Sequence, residues 1–142
     1  MNWYLTSDRP IYAQLVEQIQ RGILSGVYPV GSSMPSVRVL ALEASVNPNT
    51  MQKALAELES QGLLFTQRTS GRTVTTDERL IMELKEHIAS GYIEQFFEGM
   101  QSLGIERSDA AGMLLAKAAT PPTDVSQSVL IKEIMNTLME VN

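Results

Sequence analysis

Cysteine is absent from this chain of 142 residues. That excludes disulfides, thiolate nucleophiles and cysteine-ligated zinc. Histidine occurs once, as His87. A metal ion there would need carboxylates such as Glu83 and Glu86, so a solvated or packed imidazole is the simpler reading, and no cofactor is expected. A single imidazole also leaves no nucleophile, base and orienting group to assemble, short of a lysine base; an enzyme is not expected. Long apolar runs are missing, so no segment reads as a bilayer span and no membrane partner is expected. The opening "MNWYLTSDRP" lacks a charged-then-apolar export pattern, which makes the cytoplasm the expected compartment. Aromatics are few, at 6%. The lone Trp3 is expected to anchor the N-terminal arm, and Tyr12 and Tyr28 to be packed.

Positive charge is also scarce. Eleven Lys and Arg face sixteen Asp and Glu, for a net charge of −5. Taken whole, that argues against nucleic acid, but the distribution matters more than the sum. Residues 1–76 carry six basic and five acidic side chains, whereas residues 77–142 carry five basic and eleven acidic. The acidity belongs to the second half, and the first half does not point away from DNA.

Apolar periodicity organises what is present. In residues 10–25, Ile11, Leu15, Ile19 and Ile23 recur every four positions, with Pro10 suited to the first helical position and Gly26 to the stop. The Pro-, Gly- and Ser-rich "VYPVGSSMP" reads as a connecting loop. Ser36 is suited to cap a short helix lined by Val37, Leu40, Ala41 and Ala44. After the break "ASVN", Asn47 and Pro48 open a second helix with Met51, Ala54, Leu55 and Leu58 on its apolar face, closed by Gly62. Two short helices across a three- to four-residue turn make a helix-turn-helix. "LLFTQRTSGRTVT" then reads as a small β-hairpin with "TSG" as its turn. Residues 77–103 form a longer amphipathic helix weakened at Gly91, Ser108 is suited to cap a further one, and "TPPTD" separates an amphipathic tail. The expected fold is mainly α with a small β-hairpin: a winged helix-turn-helix over 1–76, a short helical region over 77–119, and a tail helix over 120–142 of unassigned role. The last two carry more apolar face than so few helices can bury alone, so pairing with a second copy is expected.

The ordered series Pro10-x-Tyr12-x-Gln14, Gly26-x-Tyr28-x-x-Gly31, Pro35-Ser36-x-Arg38-x-Leu40-Ala41, Val46-Asn47-x-x-Thr50, Leu58-x-x-x-Gly62-Leu63 and Gly71 resembles the GntR family of bacterial transcription regulators. The resemblance covers residues 10 to 75. The short remainder looks like the YtrA-type subfamily, in which two short helices mediate dimerisation. Two departures stand out. Ser45 occupies a turn position where the family often has glycine, and a left-handed residue costs more there as Ser than as Gly. Of two common wing glycines only Gly71 remains, with Thr69 following Arg68.

The resemblance implies a homodimeric regulator, a repressor, that binds a near-palindromic double-stranded operator with half-sites about one helical turn, roughly 10 bp, apart. The recognition helix would enter the major groove and the wing would lie near the minor groove. The expected DNA-binding residues are Ser36, Arg38, Asn47, Asn49, Thr50, Gln52, Lys53, Arg68, Gly71 and Arg72. Asn and Gln pair bidentately with adenine, Thr reaches a phosphate or a thymine methyl, and Arg is attracted to narrow minor grooves. Plainer roles stand beside these. Asn47, Thr50 and Ser36 can simply cap helices, Arg38 can pair with Glu43 or Glu57, and Arg68 and Arg72 can be exposed hairpin charges. The expected dimer interface comprises Leu84, Ile88, Tyr92, Phe96, Phe97, Met100 and Leu114. A small-molecule effector, if used, would sit at the dimer interface or between domains. The alternative is a winged-helix protein–protein interaction adaptor without sequence-specific DNA binding, docking through the tail.

Overall fold

The structure is a computed structural model that describes residues 1–69 and 71–120, together with 133–134 and 136–137. It divides into two compact units, Met1–His87 and Ile88–Asn142. Most of the expected tail helix lies outside the described residues.

The first unit is built on three helices. Helix α1 spans Ile11–Leu24, with Pro10 flanking it rather than opening it. Helix α2 spans Val37–Ala44 and α3 spans Pro48–Ser60. Their apolar stripes meet in one core, where Leu15, Ile19, Leu40, Met51, Ala54, Leu58 and Leu63 are fully buried. Each large aliphatic side chain so placed contributes about 1.5–3 kcal/mol. Gly22 allows α1 to lie against Tyr28, since a Cβ there would stand 2.8 Å from the ring.

The α2–α3 turn is closed by backbone geometry. Ser45 adopts φ 56° and ψ 47°, the left-handed conformation expected from its position. The Val46 N–H donates to the Ala41 carbonyl at 3.0 Å and the Ser45 N–H to the Leu42 carbonyl at 3.2 Å. This is a Schellman closure, which satisfies carbonyls that the helix end would leave unpaired. The same pair of bonds closes α3 at Gly62, from Leu63 to Leu58 and from Gly62 to Glu59. There glycine carries the positive φ without the steric penalty that Ser45 bears.

Strands β1 (Leu64–Gln67) and β2 (Gly71–Val74) form the expected antiparallel hairpin, in the register Leu64↔Val74 and Thr66↔Arg72. The loop before α2 is more than a connection. Ser33 bridges Thr73 antiparallel, the Met34 N–H donates to the Arg72 carbonyl, and the Val74 N–H donates to the Ser32 carbonyl, both at 2.8 Å. Strand β2 is therefore held on both edges, and the segment leading into α2 is tied to the wing.

The N-terminal arm is strapped along α1 by two glutamines. The buried Gln14 accepts from the Thr6 N–H at 2.8 Å and donates to the carbonyls of Thr6 and Arg9, both at 2.9 Å. Gln18 pairs in the same way with both backbone groups of Tyr4. Each carboxamide acts as a peptide group would in a strand. Trp3 packs half-buried against the core, as expected.

Helix α4 spans Glu78–Gln101. The first unit extends past residue 76 because Leu80, Ile81 and Leu84 pack on its core. In the second unit, the remainder of α4 is followed by a turn at Gly104 and by α5, Arg107–Ala118. Glu106, not Ser108, flanks α5, and it makes no side-chain cap. Arg107 fastens α5 to α4: its guanidinium donates to Glu94 at 2.6 Å and lies 4.2 Å from the centre of the Phe97 ring. Among the described residues, no helix is long and apolar enough to cross a membrane.

Candidate nucleic-acid interface

Two helix starts form the polar surface. The Ser36 hydroxyl accepts from the Val39 N–H at 3.2 Å, capping α2. The Asn47 side chain accepts from the Asn49 N–H at 2.8 Å, capping α3. Both residues therefore cap, and both remain exposed. A helix start also presents unpaired N–H groups and the positive end of the helix dipole, which suits a phosphate. Asn49 and Gln52 are exposed beside them and Thr50 is half-buried, while Met51, Ala54 and Leu55 on the opposite face are buried.

Arg38 lies where the two helices meet. With Ala41, Leu42, Ser45, Val46 and Pro48 it lines a shallow depression of about 360 Å³. Its exposed guanidinium makes no ion pair among the described residues, neither with Glu43 nor with Glu57. Lys53 is positioned differently: its ammonium stands 4.7 Å from the centre of the Tyr12 ring. That cation–π contact holds the lysine on the exposed side of α3 without neutralising it.

The wing separates its two arginines. Arg68 and Gly71 flank the turn and are exposed, Gly71 with φ 75°. Arg72 is only 15% exposed, and its Nε donates to the Glu59 carboxylate at 2.5 Å. The Thr66 hydroxyl donates to the same oxygen at 2.6 Å. Burial raises the pKa of Glu59, but these two hydrogen bonds and the Arg72 charge outweigh it and hold the carboxyl below the ordinary glutamate value. Arg72 is thus engaged by α3 and does not stand free beside Arg68. Strand alternation could have indicated this: Arg72 is two residues from buried Val74, and side chains two apart share a face. Glu59, Thr66, the contact of Lys53 with Tyr12 and the pairing of residues 31–34 were not anticipated.

The seven residues expected at a dimer interface also divide. Leu84 packs half-buried against the core of its own unit. Ile88, Phe96, Phe97 and Met100 are half-buried, and Tyr92 and Leu114 are exposed. Phe96 and Phe97 pack edge to face, 5.2 Å between ring centres.

The family model for bacterial regulatory proteins of the gntR type matches residues 11–74, the span from α1 to the end of β2. The repressor YtrA of Bacillus subtilis is 33% identical over 102 residues, covering 67% of this chain and 78% of that protein. The chain belongs to the GntR family. The regulator YhcF of the same organism is 32% identical over 103 residues, 72% of this chain and 85% of that one. Among solved structures, a GntR family transcriptional regulator from Listeria monocytogenes is 37% identical with a TM-score of 0.72, covering 78% of this chain and 96% of the other. This GntR protein is therefore a transcriptional regulator with a winged helix-turn-helix DNA-binding domain, and its likeness to YtrA supports the YtrA-type branch.

Proposed function

We propose that this GntR protein is a homodimeric repressor that binds a near-palindromic operator. The N-terminal turn of α3 enters the major groove, with Asn49, Thr50 and Gln52 at base edges. Ser36, Asn47, Arg38 and Lys53 meet phosphates or bases nearby. The tip of the wing, with Arg68 and Gly71, approaches the minor groove. The observation that carries this reading is the convergence of capped, exposed helix starts and the exposed Arg38 on one polar surface, above a buried apolar back. Few cations face the phosphates, so the salt dependence of binding is expected to be shallow. A repressor role is supported by the likeness to YtrA, which is named as one.

Dimerisation is assigned to the second unit. There Ile93, Leu103, Met113 and Leu114 are exposed among the described residues, an apolar surface of the kind that marks an interface. A symmetric pair would set two recognition helices against half-sites about one helical turn apart. The test is titration of a labelled palindromic duplex from the protein's own promoter region at moderate salt. Saturable binding with two chains per duplex is expected. Binding that does not distinguish this duplex from a scrambled one would overturn the reading.

A further inference from the structure

The contact between α3 and the wing is built differently from the rest of the DNA-binding unit. The three helices meet chiefly through aliphatic packing. Beyond Leu64 and Val74 the hairpin leaves the core, and its next pair on the same face is Thr66 and Arg72, directly opposite each other. Both side chains donate to one oxygen of Glu59, on the last turn of α3. The carboxylate and the guanidinium are 28% and 15% exposed. A charged pair in so sheltered a place is screened less by salt than a surface pair. Three elements thus converge on one oxygen: the recognition helix and both strands of the wing.

We propose that Glu59 is a positioning residue for DNA recognition, fixing the angle of the wing to the recognition helix, and that Arg72 acts through this clasp and not by touching phosphate. The inference rests on the DNA-binding reading above. The geometry favours it because an arginine bound to a carboxylate has lost the freedom and the net charge that a phosphate contact requires. Arg68 is left at the turn as the wing's exposed cation. Rigid placement matters because a displaced wing cannot reach its groove while α3 occupies the neighbouring one, even with every contact residue intact.

The test separates positioning from charge by sign. Glu59→Gln removes a negative charge near the DNA-binding surface. If charge alone mattered, it would free Arg72 and tighten binding to any duplex. If Glu59 positions the wing, the ratio of specific to scrambled-duplex affinity falls by about tenfold, while affinity for the scrambled duplex is unchanged or higher. The probes are a duplex enriched from a random-sequence pool by the full-length wild-type chain and a scrambled duplex of equal composition. Arg72→Ala should lower the same ratio without changing the slope of log affinity against log salt. A direct phosphate contact would instead reduce that slope by about one. The double variant should be little worse than either single one, since both break the same clasp. Thr66→Val, which keeps the carboxylate charge and deletes one of its hydrogen bonds, should lower the ratio by about threefold and covers the case in which Glu59→Gln melts early. An unchanged or raised ratio in folded Glu59→Gln, or a reduced salt slope in Arg72→Ala, overturns the inference and leaves the DNA-binding reading standing. A wild-type chain that enriches no duplex overturns that reading, and the inference falls with it.

Discussion

The two compact units solve the problem of burial in opposite ways. Residues 1–87 fold around a continuous aliphatic core in which the side chains of α1, α2, α3, the hairpin and the start of α4 close on one another. In the described part of residues 88–142, Ala110 is fully buried, while Ile93, Leu103, Met113 and Leu114 are exposed. The contacts between α5 and α4 include an exposed ion pair and a cation–π contact, and exposed ion pairs contribute little. The first unit therefore holds an apolar core of its own, and the described part of the second leaves more of its apolar surface exposed. That difference is what the proposed division of labour calls for: a binding module must hold its geometry alone, whereas an assembly module would gain geometry on pairing.

That comparison can be broken from either side. The largest effect is expected from Leu55→Ala, which empties a buried site in the first unit. It should destabilise the chain by about 2–5 kcal/mol in denaturant melts. A loss under 1 kcal/mol would mean that the core is not the source of stability. Next comes Ile93→Glu, which charges the open face of the second unit. It should shift the species in sedimentation from dimer to monomer and weaken binding to a palindromic duplex by about a hundredfold through lost bivalency, with the first unit still folded by circular dichroism. A dimer that survives would place the interface elsewhere. Arg38→Ala should leave the dimer and the melting temperature unchanged and cost about 1–3 kcal/mol of binding. Normal affinity would return Arg38 to the status of a surface charge.

Two smaller effects sharpen the picture of the first unit. Ser45→Gly relieves a left-handed residue and should stabilise by about 1 kcal/mol, read as a rise in melting temperature without loss of DNA affinity. No rise would mean that the Ser45 side chain offsets its own strain. The smallest effect is expected on acidification. The folded-state pKa of Glu59 is depressed, so the clasp's contribution is fully present above the ordinary glutamate value and is lost as pH falls through the lower folded value. Comparing wild type with Glu59→Gln across that window should bring their stabilities together at the acid end. A gap that persists there would show that the carboxylate charge is not what holds the wing.

Much of the fold was legible because its signals are local. The stripes Ile11–Leu15–Ile19–Ile23 and Met51–Ala54–Leu55–Leu58 both proved to face the core, at the edge for Ile11 and deep within it for the others. Ser36 and Asn47 cap as their positions suggest, and the left-handed Ser45 falls where the family resemblance puts glycine. The segment 31–34 was missed because "GSSM" has no alternation, and its strand character comes from β2, some forty residues away in sequence. Gln14 was visible as part of a motif, but its task of bonding the arm appears only when Thr6 and Arg9 are seen to run past it.

The sequence by itself determined where helices start and stop and which face of each is apolar, because those depend on backbone groups and side chains within about four residues of one another. It also determined which polar residues crowd the two helix starts. Only the tertiary structure decided what each charge and apolar side chain meets. Arg38 and Arg72 look alike as letters, yet one makes no ion pair among the described residues and the other is held by Glu59. Leu84 has the spacing of an interface residue and packs half-buried on the core of its own unit. Pairing across thirteen or more residues is set by how helices and strands pack, and no local pattern encodes that distance.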